Sequence, residues 1–184
     1  GVDARANTDL TNADLGGMDL RFIDLTGAVL RGADLRGTDF SHSALRGAQF
    51  DGALTEAEAP GQTRFINADL RQVVWADDLT GLNFSFAGLQ GADLSGANLT
   101  GVNLSSSQIQ AANLGTDRFE GLIVEGAEYN HATIPPQGLT LEDLAALGAT
   151  DRPDNFARIE PGSFILQATG LPVRITRPFL IQKM

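Results

Sequence analysis

The sequence lacks much of what site chemistry usually requires. It has no cysteine, which removes disulfides, thiolate metal sites and cysteine nucleophiles together and fits a reducing compartment such as the cytoplasm. Lys183 is the single lysine and no basic cluster occurs, so direct contact with a nucleic-acid backbone is disfavoured. No apolar run approaches the roughly 18–20 residues of a membrane span. Gly1-Val2-Asp3 opens no charged-then-apolar secretion signal. Without an initiator methionine, the start is expected to be a trimmed one. Proline is absent from 1–59 and from 61–134, as in a chain whose backbone N–H groups are nearly all engaged.

The net charge of −10 is unevenly spread. Residues 1–50 carry seven acids against five arginines, residues 51–134 eleven against three, and residues 135–184 five of each sign. The acidic excess therefore lies in the middle of the chain.

What is present is a period of five. A large apolar residue returns at Leu10, Leu15, Leu20, Leu25, Leu30, Leu35, Phe40, Leu45 and Phe50, and again at Phe65, Leu70 and Trp75. After a one-residue slip at 76–79 it runs through Phe84, Leu89, Leu94, Leu99, Leu104, Ile109, Leu114, Phe119, Val124, Tyr129 and Ile134. Five fits neither a helix nor a simple strand. It fits a chain that turns a corner every five residues, so that four sides close a square coil of about twenty residues and coils stack at about 4.8 Å.

Two accompanying columns agree. Two residues before each centre stands a small residue, among them Ala28, Ala33, Ala92, Ala97, Ala112 and Ala132; a narrow interior admits one large and one small side chain per side. Asp117 falls in this column as an exception, ascribed to local loosening around GTDRF. Two residues after the centre glycine recurs, where the corner needs it.

The copies Ala33-Asp34-Leu35, Ala68-Asp69-Leu70, Ala92-Asp93-Leu94, Ala97-Asn98-Leu99 and Ala112-Asn113-Leu114 resemble the pentapeptide-repeat family over about residues 6–134. The resemblance implies an all-β fold, a right-handed quadrilateral β-helix of roughly six coils. It also implies a binding role, since some members that protect DNA gyrase from quinolones are understood as mimics of duplex DNA. In this chain Arg21, Arg31, Arg36 and Arg46 interleave with the acidic column, and Asn98, Asn103 and Asn113 replace aspartate further on. The alternative is that these Asp and Asn residues satisfy backbone at the corners.

Interruptions are where function is sought in such a solenoid. Residues 51–62, DGALTEAEAPGQ, read as a loop leaving the coil, with Glu56 and Glu58 as candidate partner contacts; a tolerated insertion is the plainer alternative. Ile66 and Phe86 occupy outward positions about one turn apart, either a patch covered by the loop or an exposed binding patch. Phe22 is outward as well. Asp69 and Asp93 represent the acidic columns.

Beyond Pro135-Pro136, residues 135–155 read as a helical cap or linker: Thr140 as N-cap, Glu142 and Asp143 in the first turn, Gly148 as stop. Residues 156–184 alternate as a β-hairpin. Phe156, Ile159, Gly162, Phe164, Pro172, Ile175, Thr176, Pro178, Phe179 and Ile181 resemble the opening of a formylglycine-generating-enzyme (sulfatase-modifying factor) domain, which would make the chain a fragment of a longer protein. The catalytic cysteines of that family have no counterpart here, so no such activity follows.

His42 and His131 sit at separate outward corners, so no histidine cluster or Ser-His-Asp set assembles. GADLSGANLTG is repeat punctuation, not a phosphate loop. The expectation is a non-catalytic interaction or scaffold module with no cofactor and no metal. Its partner would be a protein, with no membrane and no nucleic acid. Head-to-head dimerisation or an upstream segment would cover the open N-terminal edge.

Overall fold

In a computed structural model, residues 8–55 and 63–152 are described. Contacts divide the chain after Asp151, and the geometry below is that of the first unit. Residues every fifth position can share an axis only if the chain turns between them, and the backbone does so. The small residue of each side donates its N–H to the carbonyl of the preceding centre, as in Ala13 to Leu10 (3.0 Å) and Ala97 to Leu94 (3.0 Å). The residue before each centre pairs in parallel with its equivalent one coil on.

These pairings define four sides. The first runs Asp9, Val29, Gln49, Val74, Asp93, Asn113, Ile134. The second contains Asp14, Asp34 and Leu54, then Asp78 and Asn98. The third runs Asp19, Asp39, Arg64, Asn83, Asn103, Ile123, and the fourth Asp24, Ala44, Asp69, Gly88, Gln108, Glu128. Centre N–H groups reach forward to the next coil, Leu30 to the Gln49 carbonyl at 2.7 Å for example. Backbone satisfaction thus runs along the stack, and burial runs across it.

The interior is filled by the centres. Leucines dominate the first coils, five aromatics occupy the middle, and Ile109, Leu114, Phe119, Val124 and Tyr129 follow at the far end. Phe50 stacks on Trp75 (centroids 4.1 Å apart), and Phe65 stacks between Phe40 (5.3 Å) and Phe84 (5.1 Å). The two stacks meet edge to face, Phe65 to Trp75 at 5.5 Å. All five rings are buried. Where the small inward residue is threonine, its hydroxyl donates to a carbonyl of the previous coil: Thr38 to Leu15 (2.8 Å), Thr63 to Leu35 (2.7 Å), Thr133 to Ile109 (2.9 Å). That bond offsets the desolvation of a buried hydroxyl.

Three register changes interrupt the coils. Asp39 pairs with Arg64, 25 residues on, where the regular spacing is 20. Residues 51–55, expected in the loop, remain in the coil: Ala53 and Thr55 are buried inward, and Leu54 pairs with Asp34. The excursion starts only after Thr55, whose hydroxyl donates to the Asp78 carbonyl at 3.0 Å. Sequence reasoning missed this centre because threonine is not a large apolar residue.

Val74 to Asp78 is one residue short of a side, so Arg64 pairs with Asn83 at a spacing of 19. Here the Asp77 carboxylate accepts the Gly52 N–H (2.8 Å), where main-chain carbonyls accept from Asn12 and Gly32 in the coils before.

The third change adds one residue after Glu128, so Asn113 pairs with Ile134. Ile134, expected inside, is therefore outward and 51% exposed, and Ala132 is exposed too. Thr133 fills the inward place. Asp117 is likewise exposed, because a tight turn closed by Thr116 N–H to the Leu114 carbonyl (2.6 Å) swings Thr116 inward instead.

At the far end lie β1 (Glu128–Tyr129), α1 (Leu141–Ala146) and β2 (Thr150–Asp151). The Thr140 hydroxyl accepts from the Asp143 N–H and the Asp143 carboxylate accepts from Thr140, a reciprocal cap. Leu144 is buried, and β2 pairs in parallel with β1. The expected hairpin of 156–184 lies outside the described residues.

Candidate protein-interaction site

Glycine fits a corner that needs positive φ because it has no Cβ. The corner between the second and third sides follows that rule, with Gly17, Gly37, Gly81, Gly101 and Gly121 at φ from 65° to 74°. The corner between the third and fourth sides does not. It stacks Phe22, His42, Asn67, Phe86 and Ser106, all left-handed, at φ from 55° to 63°. Left-handed backbone costs a residue with Cβ roughly 1–2 kcal/mol, so this corner carries strain that glycine would relieve.

The side chains at this corner form a ridge. Phe22 is 74% exposed and stacks on His42 with centroids 4.9 Å apart. The His42 Nδ1 lies 2.9 Å from the Asn67 amide nitrogen. Phe86 follows, 59% exposed. Beside it the fourth side carries Gly88 where the coils above and below carry Asp69 and Gln108. The missing side chain leaves a depression of about 250 Å³ lined by Asn67, Asp69, Arg71, Phe86, Gln90 and Gln108. Arg71 is fixed over it by two bonds to Asp69, Nε to Oδ1 (2.7 Å) and Nη2 to Oδ2 (2.5 Å). That guanidinium holds the Asp69 carboxyl below the usual carboxylate range. Gln90 Oε1 is buried without a partner, and a Cβ on Gly88 would sit 3.2 Å from it.

The candidate residues do not converge on one place. Asp69 and Phe86 line the depression, and Ile66 is half-buried just before Asn67. Asp93 belongs to the first side and accepts the Ser95 N–H at 3.1 Å. Glu56 and Glu58 lie outside the described residues. Asn67, Arg71, Gly88 and Gln90 were not singled out by sequence reasoning. The readable signals were Phe, His and Asn at a glycine position and Gly88 at an outward one.

The acidic columns turn out to be corner chemistry. Asp14, Asp24, Asp34, Asp39, Asp69, Asp78 and Asp93 each accept the N–H two residues on, and Asn83, Asn98, Asn103 and Asn113 do the same. Arginines neutralise part of what remains. Arg21 pairs with Asp19 (2.7 Å), Arg36 with Asp34 (2.5 Å) and Arg31 with Asp51 (2.9 Å). The bonds from Arg21 and Arg36 hold Asp19 and Asp34 down at about 2. Among the described residues no group of acids and histidines is placed to hold a metal, and no helix is long and apolar enough to cross a membrane.

Stacked square coils with parallel pairing on every side define a right-handed β-helix solenoid. The chain belongs to the pentapeptide-repeat family: the model for pentapeptide repeats matches eight copies over residues 6–41, 19–54 and 78–115. Among solved structures it is similar to a pentapeptide repeat protein of the Arabidopsis thaliana thylakoid lumen (32% identity over 71% of this chain and 74% of that one, TM-score 0.31). It is also similar to a pentapeptide repeat protein from Nostoc (25% identity, 79% and 86%, TM-score 0.26). A third is QnrB1, a plasmid-mediated fluoroquinolone resistance protein (17% identity, 81% and 81%, TM-score 0.34). No curated protein matches.

Proposed function

We propose that the chain is a non-catalytic protein-interaction module that binds through the ridge at Phe22, His42, Asn67 and Phe86 and the depression at Gly88. The observation that carries this reading is the choice of exposed aromatics, Phe22 and Phe86, at strained positions where the corner between the second and third sides uses glycine. Strain kept at a surface marks a site when nothing in the core requires it. Asp69 supports the reading by fixing Arg71, and Glu56 and Glu58, outside the described residues, are proposed as further partner contacts. Capture of partners on immobilised protein, compared with Phe86→Gly and with a deletion of 56–60 that restores the regular spacing of 20 between Asp39 and Arg64, tests it. Unchanged capture by both variants would discard both contacts.

DNA mimicry is the second reading, and it has less behind it. A mimic needs a continuous acidic face, whereas Asp19, Asp34 and Asp69 are each paired to arginine. A supercoiling assay with purified gyrase separates the two, with no inhibition or quinolone protection expected at micromolar protein. An accessory role beside a formylglycine-generating-enzyme-like domain rests on residues 156–184 alone. The gene sequence downstream tests it, as does its counterpart, a module that positions a longer enzyme or lectin-like binder.

A further inference from the structure

Two departures from the local pattern meet at the depression. Phe86 is left-handed, a conformation that suits glycine, and two residues on Gly88 stands where the neighbouring coils carry side chains. Gly88 is the only glycine among the described bridge positions, and its φ is not positive. Its backbone therefore gives no reason for glycine; what the residue contributes is the absence of a side chain. The hollow of about 250 Å³ has the Phe86 ring on one flank and the amides of Asn67, Gln90 and Gln108 around it.

The wall is selective about what can enter. Gln90 Nε2 donates to Gln108 Oε1, while Gln90 Oε1 is buried without a partner, 3.2 Å from where a Cβ of residue 88 would stand. Gln108 Nε2 bonds to no acceptor among the described residues. One acceptor and one donor are thus on offer, and turning both amides over exchanges the roles without changing the pair. Gln110 Oε1, one coil on, is also unpartnered, but there the fourth side carries Gln108 in place of a glycine. Gln108 itself is exposed, and its stem swings aside to admit an entering group.

Charged heads fit badly. Arg71 and Asp69 are tied to each other by two bonds, so neither is left to neutralise an ion that sheds its water here. An apolar group would leave Gln90 Oε1 unpaired.

Resting on the interaction reading above, we infer that the hollow receives a glutamine side chain of the partner protein. Its amide N–H donates to Gln90 Oε1, its carbonyl accepts from Gln108 Nε2, and its methylenes lie along the Phe86 ring. A carboxamide carries donor and acceptor side by side on one uncharged head. The guest supplies the rung that the fourth side lacks between Asp69 and Gln108.

Titration of the ¹⁵N-labelled full chain with propionamide, the glutamine side chain alone, tests this by amide shifts. Saturable shifts are expected at Gly88 and at the side-chain amides of Gln90 and Gln108, with a dissociation constant of about 10–100 mM. Propionate, propylammonium and 1-propanol should leave those signals in place. A pentapeptide with glutamine among alanines should bind at least as tightly as propionamide, and its glutamate counterpart should not bind. Gly88→Gln fills the hollow, and Gln90→Met removes the acceptor while leaving the space. Both variants should keep the melting temperature within a few degrees and lose the propionamide shifts.

No saturable shift with propionamide would overturn the inference while leaving the interaction module standing, since partner capture is measured separately. Equal binding of the charged or hydroxyl probes, or binding that survives Gln90→Met, would overturn the amide as the recognised group. Binding of propionamide without the glutamine peptide would overturn a protein side chain as the occupant.

Discussion

The middle coils and the outer coils solve the same packing problem with different residues. In the first coils the spacing is a regular 20 and leucine fills the centres, while the last coil holds Phe119, Val124 and Tyr129 and takes one added residue after Glu128. In the middle the chain gains five residues after Thr55 and drops one after Val74, and there the centres are Phe40, Phe50, Phe65, Trp75 and Phe84. Irregular backbone coincides with the largest and most interlocked side chains. Inward columns stay continuous while the covalent spacing does not, so stability follows from what stacks in space.

Four measurements break or sharpen that contrast. The largest effect is expected at Trp75, where Ala should cost about 3–5 kcal/mol in denaturant unfolding, because both stacks lose their junction. Leu94→Ala, in a regular coil, should cost about 2–5 kcal/mol. If Leu94 proved much the costlier, the aromatic cluster would not be what holds the irregular region.

A smaller loss, about 1 kcal/mol, is expected for Thr63→Val, which deletes the hydroxyl bond to the Leu35 carbonyl. That carbonyl keeps the Thr38 N–H, so it is not left bare. Thr38→Val, in the same column one coil earlier, should match it; a clear excess at Thr63 would show that the bond anchors the excursion specifically.

The corners provide a third test. Gly101→Ala should lose about 1 kcal/mol from its φ of +65° alone, since nothing crowds the added carbon. Phe22→Gly should leave stability equal or slightly raised. A large loss on Phe22→Gly would mean that the ridge supports the fold.

The smallest effect is electrostatic. Asp19 and Asp34 have carboxyls depressed to about 2 in the folded chain. Their stabilisation is present above the unfolded value near 3.8 and fades as pH falls through about 2. Melting temperature at low salt should therefore drop between about pH 4 and 2, and Asp34→Asn should flatten part of that slope. Because Asp19 is exposed and Asp34 half-buried at the surface, added salt should shrink it too, more for Asp19.

How much of this was readable beforehand depends on the kind of residue. The square coil was legible because Leu and Phe recur every fifth position. Thr140 was legible as a cap because it sits three residues before Asp143. Thr55 and Thr116 were not legible, since a threonine turned inward is indistinguishable in sequence from one turned out until a neighbouring coil offers a carbonyl. Ile134 misled for the opposite reason: it is apolar and in phase, but one added residue after Glu128 moved it outside. The depression could not be read at all from composition, because it is made by what Gly88 lacks between two neighbours that are 19 and 20 residues away.

Thr55 and Thr63 are both held from within, each by a hydroxyl bond to a neighbouring coil. A segment spliced between two such fixed posts can change length without disturbing the columns on either side. Natural variation and deliberate grafting have the same opening here: a tag, an epitope or a recognition peptide could be inserted at this position while the scaffold keeps its geometry.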